Sequence, residues 1–550
     1  EQAGITPQPE APRHVLVRRL YLDLIGLPPQ PEELAALQAD ASPDWYEKLV
    51  EKLLADPRHG ERWGRHWMDV WRYSDWWGLD AQHRNSAKHM WHFRDWIVES
   101  LNADVGYDEM VRLMLASDEL HPDDPAKLRA TGFLARNWAL FNRTPWMDET
   151  VEHVGKGFLG LTMNCSKCHA HKYDPIQQED YYRFRAFFEP IEARVDLVAG
   201  ESDLEKDGIP RVFDGHLDRP TYLFIRGEDT KPDTSNKIEP GVPEVFAFKE
   251  IEIREVALPK TVFEPERRPW VVDTYVAAAR KAVADAEARQ AKEPSSAADQ
   301  AVAAAKADLV AVEKRAEATR ARWAAADAPS QAADDPLRAQ AASAAQAAAK
   351  AEKDAAVAKA WASVAAVSFK LAKAVEEKQD AASLAAIEKE LATARNAIEK
   401  AEKAAADPGT TFTPLVGAKW MTTRFKDSTK DDPSVPFPAT SSGRRTALAQ
   451  WITDPRNPLT ARVAANHIWM RHMGPPLVDT VFEFGRKGNA PVHPALLDWL
   501  ASELVDHGWS MKHLHRLICT SAAYRMGSST KTAGNALAAD PDNKLSWRRE

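Results

Sequence analysis

The string Cys165-Ser-Lys-Cys168-His169 carries the most defined chemistry in this chain. C-x-x-C-H is the attachment signature of c-type haem. Each thiol forms a thioether to a haem vinyl group, the two-residue gap matches the vinyl separation, and the adjacent histidine reaches the iron as proximal ligand. The chain has only 3 cysteines, and two of them are here. Three rival readings stand beside haem. A zinc site from Cys165, Cys168, His169 and His171 would crowd its ligands along one short segment, which strains a tetrahedron. A redox dithiol normally follows a strand in a thioredoxin-like unit, and none is evident. A plain disulfide between 165 and 168 is the third. The expectation is one covalent haem c, with Cys165, Cys168 and His169 holding it. Because haem c is attached outside the cytoplasm, a periplasmic or otherwise exported protein is expected.

The sixth iron position needs a second ligand, and His66 is the first choice. Arg62, His66, Asp69 and Tyr73 recur at steps of three and four and so share a helical face. Asp69 could then orient the imidazole. The bland reading of the same residues, with Arg65 and Arg72, is an ion-paired surface stripe. His171 lies too close to His169 to reach the opposite face of a haem. It is expected to bind a propionate or line the pocket, or else to be a hydrogen-bonded turn residue before Asp174-Pro175. His66, Asp69 and His171 are the candidate catalytic residues. Arg94, beside Trp91 and Trp96, is a candidate bidentate partner for a propionate. Trp63, Trp67 and Trp71 recur every four residues, as core or, more sharply, as a sugar-stacking platform. Met163 and His153 are weak ligand candidates. His467, Trp469 and Arg471 share a helix, His493 sits in a Pro-bounded turn, and Asp498 opens the helix after it. These either complete a cleft or form a structural cap. Cys519 reads as a buried free thiol.

The elements that must position these residues are mainly α. The chain has 550 residues, 44% hydrophobic and 28% charged, which suits two to four domains. The net charge of −9, with both signs mixed, argues against non-specific nucleic-acid binding. No run of about 18 apolar residues appears, so no membrane span is expected. Glu1 is not an initiator methionine and no signal peptide is visible, so the chain reads as processed or trimmed. Residues 1–195 form the expected helical haem domain. Its helices are marked by Leu16, Leu20, Leu24 and Leu27 before Pro28-Pro29, by Trp45 to Leu54, by Trp91 to Leu101 and by Tyr107 to Leu115. The stretch 61–77 is rich in Trp and Arg. Residues 196–265 read as a small β-containing insert, with strand-like runs at Thr221–Ile225 and Val245–Phe248. Residues 266–410 are Ala-rich and hold no glycine before Gly409, which favours long helix. Pro329 and Pro336 bracket a turn there, and Pro294 interrupts the first arm. The expectation is an antiparallel helical hairpin with arms about 100 Å long at 1.5 Å per residue. Residues 411–550 form a C-terminal helical domain, with helices at Arg444–Ile452, Arg462–Met470 and Pro494–Val505. None of the 17 histidines lies between His216 and His467, which confines the chemistry to the two ends.

Three long runs carry a family resemblance. They are Phe158-Leu-Gly-Leu-Thr-Met-Asn-Cys-Ser-Lys-Cys-His-Ala-His-Lys-Tyr-Asp-Pro-Ile176, Arg18-Arg-Leu-Tyr-Leu-Asp-Leu-Ile-Gly-Leu-Pro-Pro29 and Gly60-Glu-Arg-Trp-Gly-Arg-His-Trp-Met-Asp69. They resemble the planctomycete-type cytochrome-c-like proteins. The C-terminal part resembles the domain of unknown function that accompanies them, through Asp454-Pro-Arg-Asn-Pro-Leu-Thr-Ala-Arg-Val463, Asn466-His-Ile-Trp469 and His493-Pro-Ala-Leu-Leu-Asp-Trp-Leu500. Arg226-Gly227 and Pro240-Gly-Val-Pro243 fit the central region. The resemblance implies an exported haem c protein and leaves the reaction open. Two redox roles follow: oxidation of an organic substrate, with carbohydrate one candidate, or electron transfer to a redox partner. The alternative is a structural or assembly protein whose helical hairpin binds a protein partner.

Overall fold

The computed structural model describes residues 4–74, 88–138, 143–329, 335–421, 436–531 and 533–549. The end of the Trp- and Arg-rich stretch, Trp76 and Trp77, lies outside the described residues, as does the tip of the expected hairpin turn.

The fold is mainly helical with small sheets, as expected. In place of four successive segments the chain forms two compact units. The first unit comprises Glu1–Val195, Ile209–Phe263 and Trp420–Glu550. The second comprises Asp196–Gly208 and Glu264–Lys419. The expected β insert is therefore not a body of its own.

In the first unit, α1 (Arg13–Leu24), α2 (Pro31–Ala39), α3 (Trp45–Leu54), α4 (Arg58–Val70), α5 (Trp91–Asn102), α6 (Tyr107–Leu120), α7 (Arg143–Val154) and α8 (Gln178–Arg185) follow in order. Local chemistry sets several of their starts. Pro31 opens α2 behind a reciprocal Gln30–Glu33 cap, and Gln177 and Asp180 do the same for α8. The strands are β1 (Ile191–Asp196), β2 (Ile209–Asp214), β3 (Thr221–Phe224), β4 (Pro232–Ile238), β5 (Val256–Ala257), β6 (Ala418–Met421) and β7 (Thr440–Ser441). Three sheets result, with orders β2-β1-β6, β3-β4 and β5-β7. The antiparallel β3–β4 ladder sets Thr221 opposite Ile238 and Phe224 opposite Pro232. The expected strand at Val245–Phe248 is instead a short 3₁₀ turn, Glu244–Phe246, entered from Pro243.

The second unit holds four helices where two arms were expected: α9 (Pro269–Lys292), α10 (Ser296–Asp327), α11 (Pro336–Glu376) and α12 (Ala381–Ala406). Pro294 sits in the break between α9 and α10, where Ser295 caps the next helix. A second break falls at residues 377–380, where Asp380 caps α12 through the Ser383 N–H. The pairs Arg280–Glu313, Lys306–Glu287 and Arg320–Asp273 run α9 antiparallel to α10. Lys359–Asp308 and Arg315–Glu352 do the same for α10 and α11. The longest of these helices, 41 residues, spans about 60 Å. Alone among the described helices, α11 is long and apolar enough by composition to cross a membrane, with a window of mean hydropathy 1.3. Alanine supplies that value, and α11 is paired along its length with α10 and α12.

The chain returns to the first unit with α13 (Arg444–Ile452), α14 (Thr460–Met473), α15 (Pro494–Asp506) and α16 (Met511–Thr520). One continuous core joins both ends of the chain, from Leu16 and Trp63 through Phe187 to Trp451, Ile468 and Leu514. Under it lies a buried charge cluster. Arg445 donates to Asp118 at 2.6 and 2.7 Å and to Asp214 at 3.0 Å, with Glu119 3.4 Å away. All four side chains are essentially excluded from water.

Candidate functional site

Cys165 sits on a 3₁₀ turn, Asn164–Lys167, that follows a π-helical turn, Gly155–Leu159, and Cys168 is the residue that ends it. π-turns inside helices frequently mark functional positions. Both thiols are free and exposed, whereas Cys519 is buried. The turn is held from beneath by Lys167, the second of the two residues between them. The Lys167 carbonyl accepts from Gln178 Nε2 and from the Tyr182 hydroxyl, each at 2.9 Å. The Lys167 ammonium donates to Asp148 at 2.6 Å, and the Tyr181 hydroxyl donates to the same carboxylate. From the other side comes the Ile225–Gly227 turn. Gly227 has φ +77, and an added Cβ would run into Cys168 Sγ. Only glycine tolerates both the left-handed backbone and that approach.

His169 is exposed, and its Nδ1 lies 2.7 Å from the Ala170 carbonyl. A carbonyl there accepts a hydrogen bond from Nδ1–H and leaves Nε2 as the bare lone pair, the atom an axial ligand needs. His171 is built into the same loop: its Nδ1 accepts from the Asp174 N–H at 2.9 Å, and its backbone N–H donates to the Ile176 carbonyl. That geometry fits the turn reading. The Asp174 carboxylate accepts from the Arg486 N–H at 2.6 Å. Thr162 donates to Glu483, and the Phe484 N–H donates to the Gly160 carbonyl at 2.7 Å. The C-terminal part of the unit thus braces the Cys-x-x-Cys-His loop through residues 483–486.

The other candidates stand apart from this loop. His66, on α4, packs edge-on against Trp63 at 5.3 Å, and burial, then Arg62, pulls its pKa down to about 4. Asp69 pairs with Arg65, which matches the surface-stripe reading. Arg94 pairs with its neighbour Asp95 at 2.8 Å. No described contact joins His66, Asp69 or Arg94 to residues 165–174. Trp63, Trp67 and Trp71 are buried in the main core, so none offers a face for a sugar. Met163 is also buried, as core packing requires. His153 accepts from Arg136 and Asn137, each at 2.9 Å, and burial lowers its pKa to about 3. His467 is buried beside Phe482, with neither ring nitrogen hydrogen-bonded. His493 bonds to the Lys544 carbonyl, and Asp498 pairs with Arg462. Sequence reasoning missed Asp148, Gln178, Tyr182 and Glu483. Gln178 and Tyr182 fall in the capped helix α8, whereas Asp148 and Glu483 carry no local signal.

The loop and its brace thus define a mainly helical protein that presents a Cys-x-x-Cys-His turn at its surface. Residues 1–193 match PSCyt2, described as a protein of unknown function (DUF1549), whose name is that of a planctomycete cytochrome-like family. Residues 444–550 match PSD1, also described as a protein of unknown function (DUF1553). No curated protein and no solved structure matches the chain.

Proposed function

We propose that this chain is an exported c-type haem protein with a redox role. The observation that carries the reading is the presentation of two free, exposed thiols and an exposed imidazole by one short turn. The residues fit the group. Cys165 and Cys168 would hold haem c covalently, and His169 would bind its iron through Nε2. Such a haem supplies a one-electron couple. The chain's own part is positional. Gln178, Tyr182 and Asp148 fix Lys167 and hence the spacing of the thiols, while Gly227 leaves room at Cys168 Sγ. The Ala170 carbonyl holds the His169 ring. His66 as distal ligand and Arg94 as propionate partner stay part of this proposal. So does the choice between oxidising an organic substrate and passing electrons to a partner.

The test is intact mass after expression with a working haem c maturation system. The protein should carry one haem that acid acetone does not remove. Cys165→Ala with Cys168→Ala should lose it, and His169→Ala should shift the Soret band. A polypeptide-only mass for the wild-type chain would sink the proposal. Carbon monoxide binding by the reduced protein separates an open distal site from a filled one.

A specific observation favours the alternative of a partner-binding second unit. Trp361, Phe369 and Val375 on α11 are each about half exposed. Large apolar side chains in that state, outside the seam that Val367 and Leu371 make with α12, suit a protein partner.

A further inference from the structure

The turn between α15 and α16 brings together three metal-ligating side chains far from the cysteines in sequence. Glu503 lies in the last turn of α15, His507 just beyond it, and His513 in the first turn of α16. Glu503 Oε2 is 2.9 Å from His513 Nε2 and 3.3 Å from His507 Nδ1. One ligand atom from each residue lies within 4.8 Å of the other two. We infer that Glu503, His507 and His513 form a Zn²⁺ site.

Four observations support it. First, two imidazole nitrogens and one carboxylate oxygen are the donor set of open zinc sites, which keep a further position for water or substrate. Second, bonds of about 2.1 Å in a tetrahedron place ligand atoms about 3.4 Å apart, close to the separations here. Third, among the described residues no lysine or arginine pairs with Glu503, so its carboxylate is matched only by the two imidazoles. The C-terminal carbonyls of α15, with no basic residue in its last turn, add to the attraction for a cation. Fourth, the turn is held rigid from outside. The Trp509 carbonyl accepts from the Tyr107 N–H at 2.9 Å, and Ser510 donates to Asp104 at 2.6 Å while capping α16 at the His513 N–H. A fixed backbone spares the metal the cost of ordering its ligands. The two rings stack at 3.8 Å and 14°. Coordination needs them to tilt apart and His507 Nδ1 to turn from the Glu503 carbonyl, 3.0 Å away, which the half-exposed His507 allows.

The test is equilibrium dialysis of the full chain against micromolar Zn²⁺ with metal analysis, comparing wild type, Glu503→Gln and the His507→Ala/His513→Ala double variant. Wild type should retain one equivalent more than either variant, and Zn²⁺ should raise the Tm of wild type alone. The single variant His507→Gln, which gives up only the stacking of a half-exposed ring, should weaken uptake at least tenfold. Equal Zn²⁺ retention by wild type and the double variant, or no retention by wild type, would overturn the site.

Discussion

The two units of this molecule are stabilised by different means. The first buries Trp63, Trp67, Trp71, Trp146 and Trp451 together with the charged Arg445, and its contacts join residues hundreds of positions apart. The second buries mostly alanine and single aliphatics such as Val367, Ile387 and Leu391, and its charges pair at the surface between consecutive helices. Large side chains and buried charge demand a unique arrangement, because a misplaced aromatic or an unpaired ion is costly. Alanine seams with exposed ion pairs demand only a helical period and short turns. The residues with chemistry therefore sit where position is over-determined.

The sharpest way to break this contrast is Arg445→Met. It leaves Asp118, Glu119 and Asp214 buried without a cation, and such a loss costs about 3–5 kcal/mol. Urea unfolding followed by tryptophan fluorescence should show the first unit failing while helical signal from the second survives. Simultaneous loss of both would contradict independent stabilisation.

Acidity probes the same cluster. Burial, partly offset by Arg445, pushes the Glu119 carboxyl up to about 7. The folded chain therefore holds a proton that the unfolded chain releases above its ordinary 4.5. This stabilisation is full below about 4.5 and is lost as pH rises through about 7. Glu119→Gln should flatten stability against pH across that window; an unchanged slope would assign it to other groups.

The smaller effects belong to the second unit. Leu391→Ala opens the α11–α12 seam and should cost about 2 kcal/mol, the low end for buried leucine. Lys370→Ala, which breaks the exposed pair with Glu390 at 2.7 Å, should cost under about 1 kcal/mol. Guanidinium melts of helical content rank the two, and the reverse order would mean that surface charge, not the seam, holds these helices.

Much of the helical fold was legible because its signals are local. Trp45 to Leu54 and Pro494 onwards carry period and start signal in one short stretch, and the helices begin there. The strands β1 and β2 were not legible. Both faces of these strands are buried and hold Glu192, Arg194, Arg211 and Asp214, so no apolar–polar alternation marks them. The paired runs in 270–407 promised two arms, whereas Asp380 starts a new helix that no proline announced.

By itself the sequence determined the Cys-x-x-Cys-His spacing and the helical character of the chain, because both depend on neighbours within a turn or two. Only the tertiary structure decided that the chain's two ends share one core, and that Gly227 and Glu483 brace the cysteine loop. It also decided that the tryptophans face inward and that Glu503 meets two histidines. Those outcomes depend on which distant surfaces exclude water together, and no local pattern encodes that.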